Sequence, residues 1–340
     1  MVRTRKISSK NISIEDVARI SGVSVTTVSR VINKFPSVKE KNRVKVLDAV
    51  KKLKYQPSIF AQRLATGKSN VIALVIPHYE GLFYSFYALE LIRGIGTLCE
   101  ALNLDLLLQI SSSAHTAGLR GTGGIIFADL IGNRAKLENA LIEGTPSVVI
   151  NNKVEDLLVS SVSVDNEAGA KAAVDYLINM GHSKVAHISG DLITQAAAQR
   201  LSGYEHSLTE KGMQINKDYI KKTDYSRGQA RQATEELLSL PEPPTAIFVA
   251  SDSMALEVMA VAREKGKEIP KDLSIIGFDD NPSGLYGPVA LTTVRQPLVK
   301  MAQEGVKLLH SIMKDKFAAV QIITLPTELV IRESTGPVRS

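Results

Sequence analysis

Residues 13–33 of this 340-residue chain read SIEDVARISGVSVTTVSRVIN, and this stretch predicts two short helices joined by a tight turn. Ser13 can cap the first helix, which puts Glu15 in the first turn, where the helix dipole favours negative charge. Gly22 predicts the turn, and Ser24 is then placed to cap the second helix. Helix, three-residue turn and helix is the spacing of the helix-turn-helix motif.

The second predicted helix has a face suited to the major groove of DNA. Val28 and Val31 must pack inward, so the other side chains of the helix turn outward. Arginine can contact a phosphate or a guanine edge, threonine can bond to a base, and valine can touch a thymine methyl group. A helical bundle that binds another protein is the alternative interpretation. The outward candidates are Val25, Thr26, Ser29 and Arg30.

Positive charge is concentrated at the start of the chain. Residues 1–68 contain 16 Lys and Arg against 4 Asp and Glu, a balance of +12. The other 272 residues contain 25 against 31, a balance of −6. A basic unit on an acidic body predicts a module that meets a polyanion, although a solvated, lysine-rich surface is the alternative.

Two more helices are predicted before the body of the chain begins. Residues 39–54 form the third, and Pro57 opens a short fourth segment over residues 58–65. One apolar stripe of the third helix is predicted to face the core. The stripe consists of Val46, Leu47, Val50 and Leu53.

From residue 70 onward, short apolar runs alternate with helical patterns. Such runs are typical of buried parallel strands, and the alternation predicts doubly wound α/β layers. The body is too long for one sheet of ordinary size, so two lobes are expected. Residues 111–122 barely leave room for a crossover helix between parallel strands. The apolar runs are residues 71–76, 104–110, 124–127, 147–150, 184–189, 246–250 and 274–278.

The sequence contains no complete motif typical of an enzyme, a metal site or a membrane protein. Residues 66–69 end like a phosphate-binding P-loop, but Gln62 stands where its first glycine is required. Six histidines lack metal-ligand spacing, and the single cysteine, Cys99, is too little for a zinc or iron–sulfur site. No apolar run reaches the ~18 residues of a membrane span, and no export signal precedes the helices. The sequence predicts no catalytic residue, metal or cofactor, and a cytoplasmic protein without a membrane partner.

A ligand site is predicted at the carboxyl ends of the strands, where open α/β sheets bind ligands. Rings that stack on a sugar and carboxylates that accept its hydroxyl groups fit a neutral sugar, whereas a sugar phosphate requires more than one arginine. Each candidate also has a structural interpretation: the rings could be core residues, and Asp252 could cap a helix over residues 253–265. The candidates are Tyr79, Phe83, Tyr84, Phe86, Tyr87, Arg200, Ser251, Asp252 and Asp279.

Residues 14–33 resemble the lactose/galactose-repressor (LacI/GalR) family of bacterial transcription factors, and matching segments recur in order along nearly the whole chain. An ordered set of this size is a specific resemblance. The further segments are Tyr55–Pro57, Ala61–Ala65, Val164–Gly169, Gly181–His182, Arg200–Tyr204, Leu273–Asp280, Leu291–Val294 and Ile331–Ser334.

The resemblance implies a homodimeric repressor that binds roughly palindromic double-stranded operator DNA and responds to a small carbohydrate. Residues 1–56 would form the helix-turn-helix head and residues 57–68 a hinge helix with its linker. Residues 69–340 would form a two-lobed core of periplasmic-binding-protein type. The N-lobe would comprise residues of about 70–163 and 293–324, and the C-lobe residues of about 164–292 and 325–336.

Roles for individual residues follow from the same resemblance. Leu64 would wedge into the minor groove and kink the DNA. Arg200 and Asp279 would grip sugar hydroxyl groups, and Phe248 would line the pocket. The implied DNA-binding residues are Ser13, Ser24, Val25, Thr26, Thr27, Ser29, Arg30, Asn33, Arg43, Tyr55, Ala61 and Leu64.

The chain departs from the family pattern at three places. The aromatic pair of the pocket could be Phe86–Tyr87, which we favour, or Phe83–Tyr84. The segment 111–122 is shorter than the usual crossover, so its helix is either trimmed or part of a stretch omitted from the sequence. The chain also ends without the leucine-rich tail of tetrameric members, which favours a dimer.

Two rival functions remain open from the sequence. One is a two-lobed sugar-binding or sugar-processing protein without operator-specific regulation. The other is a regulator controlled by a partner phosphoprotein in place of a sugar. A regulator of either kind would associate with the nucleoid through its DNA contacts.

Overall fold

The computed structural model describes residues 12–33, 35–55, 69–79, 81–111, 119, 121–315 and 317–338. The chain divides into two compact units, Met1–Ser69 and Asn70–Ser340. This division agrees with the change from basic helices to apolar runs near residue 70 in the sequence.

Three helices make up the described part of the first unit, the head: α1 (Ile14–Ser21), α2 (Val25–Ile32) and α3 (Glu40–Leu53). Ser13 caps α1 as predicted, because its Oγ accepts a hydrogen bond from the Asp16 amide while the Asp16 carboxylate accepts one from the Ser13 amide. Gly22 ends α1 with φ of 66°, a left-handed conformation that glycine adopts without strain.

The head has a small aliphatic core to which all three helices contribute. The prediction for α3 was wrong at Leu47, whose side chain is 52% exposed, while Ala49 takes the inward position. Ala49 lies three residues after the buried Val46 and therefore on its face, whereas Leu47 is rotated by one residue around the helix. The fully buried members of the core are Val17, Ala18, Val28, Val31, Val46 and Ala49.

Two six-stranded sheets form the described framework of the second unit, and we call the two halves the first and second lobes. The first-lobe sheet is entirely parallel, with the order β11-β5-β4-β3-β1-β2. Its strands are β1 (Val71–Pro77), β2 (Asp105–Ser111), β3 (Gly124–Ala128), β4 (Ser147–Ile150), β5 (Ser160–Val164) and β11 (Ile322–Leu325).

The second-lobe sheet has the order β12-β10-β9-β8-β6-β7, and its edge strand β12 is antiparallel to β10. The other neighbours are parallel. Its strands are β6 (Val185–Ile188), β7 (Ile220–Lys221), β8 (Ala246–Val249), β9 (Ser274–Asp279), β10 (Thr292–Arg295) and β12 (Glu328–Val330).

Helices cover both faces of each sheet, as the doubly wound prediction requires. In the first lobe, α4 (Phe86–Leu102) and α10 (Leu298–Lys314) cover one face and α5 (Arg134–Ile142) the other. In the second lobe, α6 (Asn166–Asn179) and α7 (Gln195–Glu210) cover one face. The opposite face carries α8 (Arg227–Leu238) and α9 (Asp252–Glu264).

The chain crosses between the lobes three times: after β5, after β10 and after β11. The predicted lobe boundary at residue 293 was wrong, because β10 pairs with β9 and β12 of the second sheet. Val294 of β10 is buried in the second-lobe core, so the crossing falls at Gln296 and Pro297. The predicted hinge segment over residues 58–65 and residues 112–118 lie outside the described residues.

Candidate functional site

Helix α2 presents the outward face that its sequence predicts. Val28 and Val31 are buried, whereas Val25, Thr26 and Arg30 are exposed. The Ser24 Oγ accepts a hydrogen bond from the Thr27 amide at 3.2 Å and so caps the helix. Short polar side chains therefore surround the amino end of α2. A binding partner can approach the helix backbone there.

Other predicted contact residues of the head have structural bonds of their own. The Asn33 Nδ2 donates to the Ser29 Oγ at 3.3 Å. The Arg43 Nη2 donates to the Phe35 carbonyl at 3.0 Å, and its Nε lies 3.4 Å from the Glu40 carboxylate. Tyr55 is half-buried against the head core. Ala61 and Leu64 lie outside the described residues.

A second set of candidate side chains lies at the carboxyl ends of the strands of both lobes. Tyr79 follows β1, Asp129 follows β3 and Asp279 ends β9. Burial raises the pKa of Tyr79, and the carboxyls of Asp129 and Asp279 raise it further. The pKa of Tyr79, in the first lobe, is thus affected by an acid at the strand ends of each lobe. We call this surface the cleft.

The two candidate aromatic pairs differ in how far they are buried. Phe83 and Tyr84 lie in a short 3₁₀ helix and are 60% and 92% exposed. Phe86 and Tyr87 begin α4 and pack against the first-lobe core. Burial raises the pKa of Tyr87 well above its ordinary value, with Asp129 and Tyr79 adding to the effect and Arg200 opposing it. Tyr87 is therefore buried within the influence of Asp129 and Tyr79, whereas Tyr84 is exposed.

Arg200 lies in α7 and is bound by its own lobe from three sides. Its Nε donates to the Asn166 Oδ1 at 2.9 Å, and its Nη1 donates to the Ala250 carbonyl at 2.6 Å. The guanidinium carbon lies 3.8 Å from the centre of the Phe278 ring. These contacts fix the orientation of the only predicted effector-binding cation.

Asp279 is held by a residue that the sequence analysis missed. The Gln296 Nε2 donates to the Asp279 Oδ1 at 2.6 Å. Burial raises the pKa of Asp279, while Arg200 and the bond from Gln296 lower it. Gln296 stands at the second crossing between the lobes, so an effector-binding candidate is tied directly to a crossing segment.

Asp252 and Phe248 are fully buried beneath the cleft. The Asp252 carboxylate accepts from the Asn281 amide at 2.7 Å and from the Thr293 Oγ1 at 2.6 Å. The helix cap is Ser251 and not Asp252, because the Ser251 Oγ accepts from the Met254 amide. The Phe248 ring stacks on His187 at 4.8 Å between centroids. Ser251, Asp252 and Phe248 are therefore engaged by contacts within the second lobe.

Strained backbone is concentrated around the cleft. Asp129, Asn151, Tyr225 and Asp279 have φ values of 105°, 70°, 69° and 129°. Non-glycine residues adopt such values at a cost of about 1–3 kcal/mol each, and they cluster at ligand sites. The Tyr225 ring lies so close to Gly190 that an added Cβ would stand 2.0 Å from it. The backbone therefore places Asp129, Asp279 and Tyr225 at the expense of local stability.

The lobes also touch at the mouth of the cleft. The Gln195 Oε1 accepts a hydrogen bond from the Lys153 amide at 2.7 Å, and its Nε2 donates to the Lys153 carbonyl at 3.1 Å. Lys153 follows β4 of the first lobe, whereas Gln195 is the first residue of α7 in the second. One side chain thus joins the lobes by a reciprocal pair of bonds, which we call the latch.

Sequence reasoning missed Asp129, Tyr225, Gln296 and the latch. Asp129 directly follows a predicted strand, a position that could have nominated it by the rule that nominated Asp279. Gln296 and Tyr225 have no such signal, because their roles depend on which strands become neighbours. No group of three or more His, Cys, Asp or Glu able to hold a metal ion occurs among the described residues.

Comparison with known proteins agrees with this arrangement of head and two-lobed core. Residues 13–58 match the family model described as bacterial regulatory proteins, lacI family. Residues 174–335 match the model of a periplasmic binding protein-like domain. No helix among the described residues is long and apolar enough to cross a membrane.

Full-length relatives share the whole architecture. Catabolite control protein A of Priestia megaterium is 34% identical over 336 residues, which cover 96% of this chain and 99% of that protein. The probable HTH-type transcriptional repressor ExuR of Bacillus subtilis is 31% identical, with 95% and 98% covered. Relatives of this kind are repressors and regulators, a class of DNA-binding proteins and not of enzymes.

Solved structures give the same result. A lac repressor dimer bound to operator and the anti-inducer ONPF superposes with a TM-score of 0.82 at 26% identity, over 96% of this chain and 100% of that one. A complex of the regulator CelR with cellobiose gives 0.73 at 28% identity, over 95% and 99%. The chain belongs to the lacI family of bacterial regulatory proteins and is a transcriptional regulator.

Proposed function

We propose that the chain is a dimeric repressor of carbohydrate-utilisation genes that binds a roughly palindromic operator and is controlled by a small carbohydrate in the cleft. The outward face of α2 and the basic head would read and hold DNA. The observation that carries the effector half of the proposal is that candidate side chains lie at the strand ends of both lobes, which the bonds between Lys153 and Gln195 join.

The relatives support the two halves of this proposal separately. One lac repressor structure holds operator and an anti-inducer as a dimer, and the CelR structure holds cellobiose. By analogy, the effector would change the angle between the lobes and so the spacing of two heads on DNA. Such a protein would work in the cytoplasm, associated with the nucleoid through its operators.

Residue roles in DNA binding form part of the proposal. Val25, Thr26, Ser29 and Arg30 would contact bases, while Ser13, Ser24, Thr27, Asn33, Arg43 and Tyr55 would position the head on the phosphates. Ala61 and Leu64 would act in the minor groove. In the cleft, Arg200 and Asp279 would hold hydroxyl groups, with Tyr79, Phe86, Tyr87 and Phe248 as apolar surfaces. Phe83, Ser251 and Asp252 would support them.

A pair of arginine substitutions tests whether DNA and effector are read by separate parts of the chain. Arg30→Ala should abolish operator selectivity in gel shifts while leaving effector binding by calorimetry intact, because Arg30 is on the exposed face of α2. Arg200→Ala should keep operator binding and lose the response to effector, since it removes the side chain bound to Asn166 and Ala250.

The two variants control for each other, and circular dichroism checks that each is folded. A loss of both functions in either folded variant would contradict this division. The operator fragment comes from genomic selection with the wild-type protein, and the effectors are a panel of mono- and disaccharides that includes cellobiose.

A further inference from the structure

The first of the three crossings between the lobes consists of a single residue. Strand β5 of the first lobe ends at Val164, Asp165 follows, and α6 of the second lobe begins at Asn166. Asp165 has φ of −78° and ψ of 80°. Lobes rotate against each other through changes in the backbone angles of a few such connecting residues. The angle between the lobes therefore depends on the torsions of Asp165.

The side chain of Asn166 holds this crossing from both ends. Its Nδ2 donates to the carbonyl of Val164 at 3.3 Å, on the first-lobe side, and to the Gln199 Oε1 at 3.2 Å, on the second-lobe side. Its Oδ1 accepts from the Arg200 Nε at 2.9 Å. Arginine can only donate, so this bond fixes which way the amide points. One amide, 1% exposed, thus joins the crossing to the arginine expected to grip the effector.

Arg200 can hold an effector and the crossing at the same time. An arginine has five N–H groups, and Asn166 and Ala250 each accept one of them in the described part of the chain. Three N–H groups are therefore left for the hydroxyl groups of a ligand.

The third crossing is bonded to the first. The Asp165 amide donates to the Leu325 carbonyl at 2.9 Å, and the Thr327 Oγ1 donates to the Asp165 carbonyl at 3.2 Å. A Cβ at Gly169 would stand 2.5 Å from the Thr327 Oγ1, so the third crossing packs directly on the first turns of α6. A change of torsion at Asp165 therefore acts on two crossings.

The second crossing is connected to the other effector candidate by a similar amide. The Gln296 Nε2 donates to the Asp279 Oδ1 at 2.6 Å, and the Gln296 side chain is buried. The Gln296 carbonyl accepts from the Leu298 amide at 2.9 Å, where the first-lobe helix α10 begins. Each side chain expected to hold sugar hydroxyl groups is thus bonded to a different crossing.

We propose that Asn166 and Gln296 are positioning residues that transmit effector binding from Arg200 and Asp279 to the crossings between the lobes. An effector that moves the Arg200 guanidinium strains its bond to Asn166 and so favours a different torsion at Asp165. A ligand shifts a conformational equilibrium only through contacts that differ between the two states, and these bonds supply such contacts. This inference rests on the proposed carbohydrate effector and names the residues that regulate its effect on DNA binding.

The variant Asn166→Asp tests the first of these connections. It keeps the size of the side chain and the oxygen that accepts from Arg200, but it places an oxygen against the Val164 carbonyl in place of a donor. Calorimetry with the panel of mono- and disaccharides should show a responding sugar bound about as tightly as by wild type. The effect of that sugar on operator affinity in gel shifts should fall about fivefold, the contribution of about one hydrogen bond.

The arrangement of the lobes can be measured without any sugar. Spin labels at Ile142→Cys and Thr209→Cys give the distance between lobes in the full chain by double electron–electron resonance. Asn166→Asp should broaden the distance distribution, because the bond across the first crossing is lost. Asn216→Asp is the matched control, since Asn216 is exposed and accepts only from the nearby Asp218 amide among the described residues.

A second variant covers the case in which Asn166→Asp does not fold, which thermal unfolding shows. Gln296→Met keeps the length of the side chain and removes the donor to Asp279. It should reduce the effect of the sugar on operator affinity about fivefold as well. Gln232→Met is its control, because the Gln232 amide bonds to Glu236 on the exposed face of α8.

The outcomes distinguish this inference from the function on which it rests. A full response to sugar together with an unchanged distance distribution in Asn166→Asp would overturn the role of Asn166. A sugar affinity that falls as much as the response would make Asn166 a ligand contact and also overturn a positioning role. Wild-type protein that binds operator and responds to no sugar would overturn the carbohydrate effector, and the distance distributions alone would then decide the role of Asn166.

Discussion

Asp252 shows how a buried acid can shape a ligand site from beneath. Its carboxylate joins the Asn281 amide, which follows β9, to the Thr293 hydroxyl in β10. A Cβ at position 277 would stand 2.1 Å from the Asp252 Oδ1, so only glycine leaves room for the acid in the middle of β9. Burial and the neighbouring Asp279 raise the pKa of Asp252. Its role follows from these contacts: it fixes the loop that follows Asp279.

His187 makes the stability of the second lobe depend on pH. The ring is fully buried between Tyr204 and Phe248, and its Nδ1 faces the Phe248 carbonyl at 3.0 Å. Burial lowers the pKa of His187 to about 4. Because the unfolded-state value is about 6.5, the unfolded chain takes up a proton between pH 7 and 5 that the folded chain does not.

This linkage should lower the free energy of unfolding by about 2 kcal/mol between pH 7.5 and pH 5. His187→Phe keeps an aromatic ring in the stack and should flatten that dependence in urea unfolding followed by circular dichroism. His206→Phe is the control, because His206 lies on the surface of α7 beside Glu167. An equal loss of stability in wild type and His187→Phe would show that another group carries the titration.

Single residues of the cleft divide into those that local sequence can nominate and those that it cannot. Arg200 and Asp279 were predicted because each lies at or after the end of a predicted strand. Each also lies in a segment that resembles the family. Gln296 was not, because its partner Asp279 is 17 residues away and the two meet only when β9 and β10 pair. Asp129 could have been nominated by its strand-end position, but no second residue nearby supported the choice.

Helix α7 links three features of the cleft along one side. Gln195 forms the latch, Gln199 accepts a hydrogen bond from the Asn166 Nδ2 at 3.2 Å, and Arg200 donates to the Asn166 Oδ1. Asn166 lies at the first crossing between the lobes. Gln195 and Gln199 are four residues apart and share one face of α7, and Arg200 follows on the adjacent side, so neighbouring sides of α7 serve the latch and the crossing.

The latch should stabilise the arrangement of lobes that the structure shows. Each of its two exposed hydrogen bonds is worth about 0.5 kcal/mol, so Gln195→Ala should shift the balance of lobe arrangements about fivefold. Spin labels at Ile142→Cys in the first lobe and Thr209→Cys in the second report the distance between lobes by double electron–electron resonance. The Gln195→Ala protein should give a broader distance distribution than wild type.

Two conditions make that measurement specific. Labelled protein is diluted with unlabelled protein so that distances within one subunit dominate, and the native Cys99 is buried. Gln232→Ala is the matched control, since the Gln232 amide bonds only to Glu236 within the exposed face of α8 among the described residues. Identical distributions for wild type and Gln195→Ala would contradict a stabilising latch.

Elements with strong apolar patterns were predicted, and weak ones were not. The seven apolar runs correspond to β1, β2, β3, β4, β6, β8 and β9. Strand β5 reads SSVSV and was missed in the pattern analysis, because its buried serines look like loop residues until they lie inside a sheet. In the head, the exposed Leu47 shows that apolar character does not decide which face of a helix is buried.

The whole molecule separates a basic head from an acidic core. The +12 balance of residues 1–68 in each protomer should make operator binding strongly dependent on salt. If a dimer makes six or more phosphate contacts, affinity should fall about 10³-fold between 50 and 200 mM salt in filter-binding or anisotropy titrations. Effector binding to the cleft should change far less over the same range.

A log–log slope shallower than about −3 would contradict a phosphate contact of that size. Arg30→Ala provides an internal reference, since loss of one phosphate contact per protomer reduces the slope by about 2 per dimer, whereas loss of a base contact leaves it unchanged. The same titration therefore shows which kind of contact Arg30 makes.

The three crossings between the lobes also govern how the chain is assembled. Strand β11 at residues 322–325 pairs with β5 at residues 160–164, and β12 at residues 328–330 pairs with β10. Each sheet therefore lacks an edge strand until residues 322–330 have left the ribosome. Contacts of such long sequence separation slow folding and leave strand edges open to other chains meanwhile. Neither lobe can be completed early in synthesis, because each sheet needs a strand from residues 322–330.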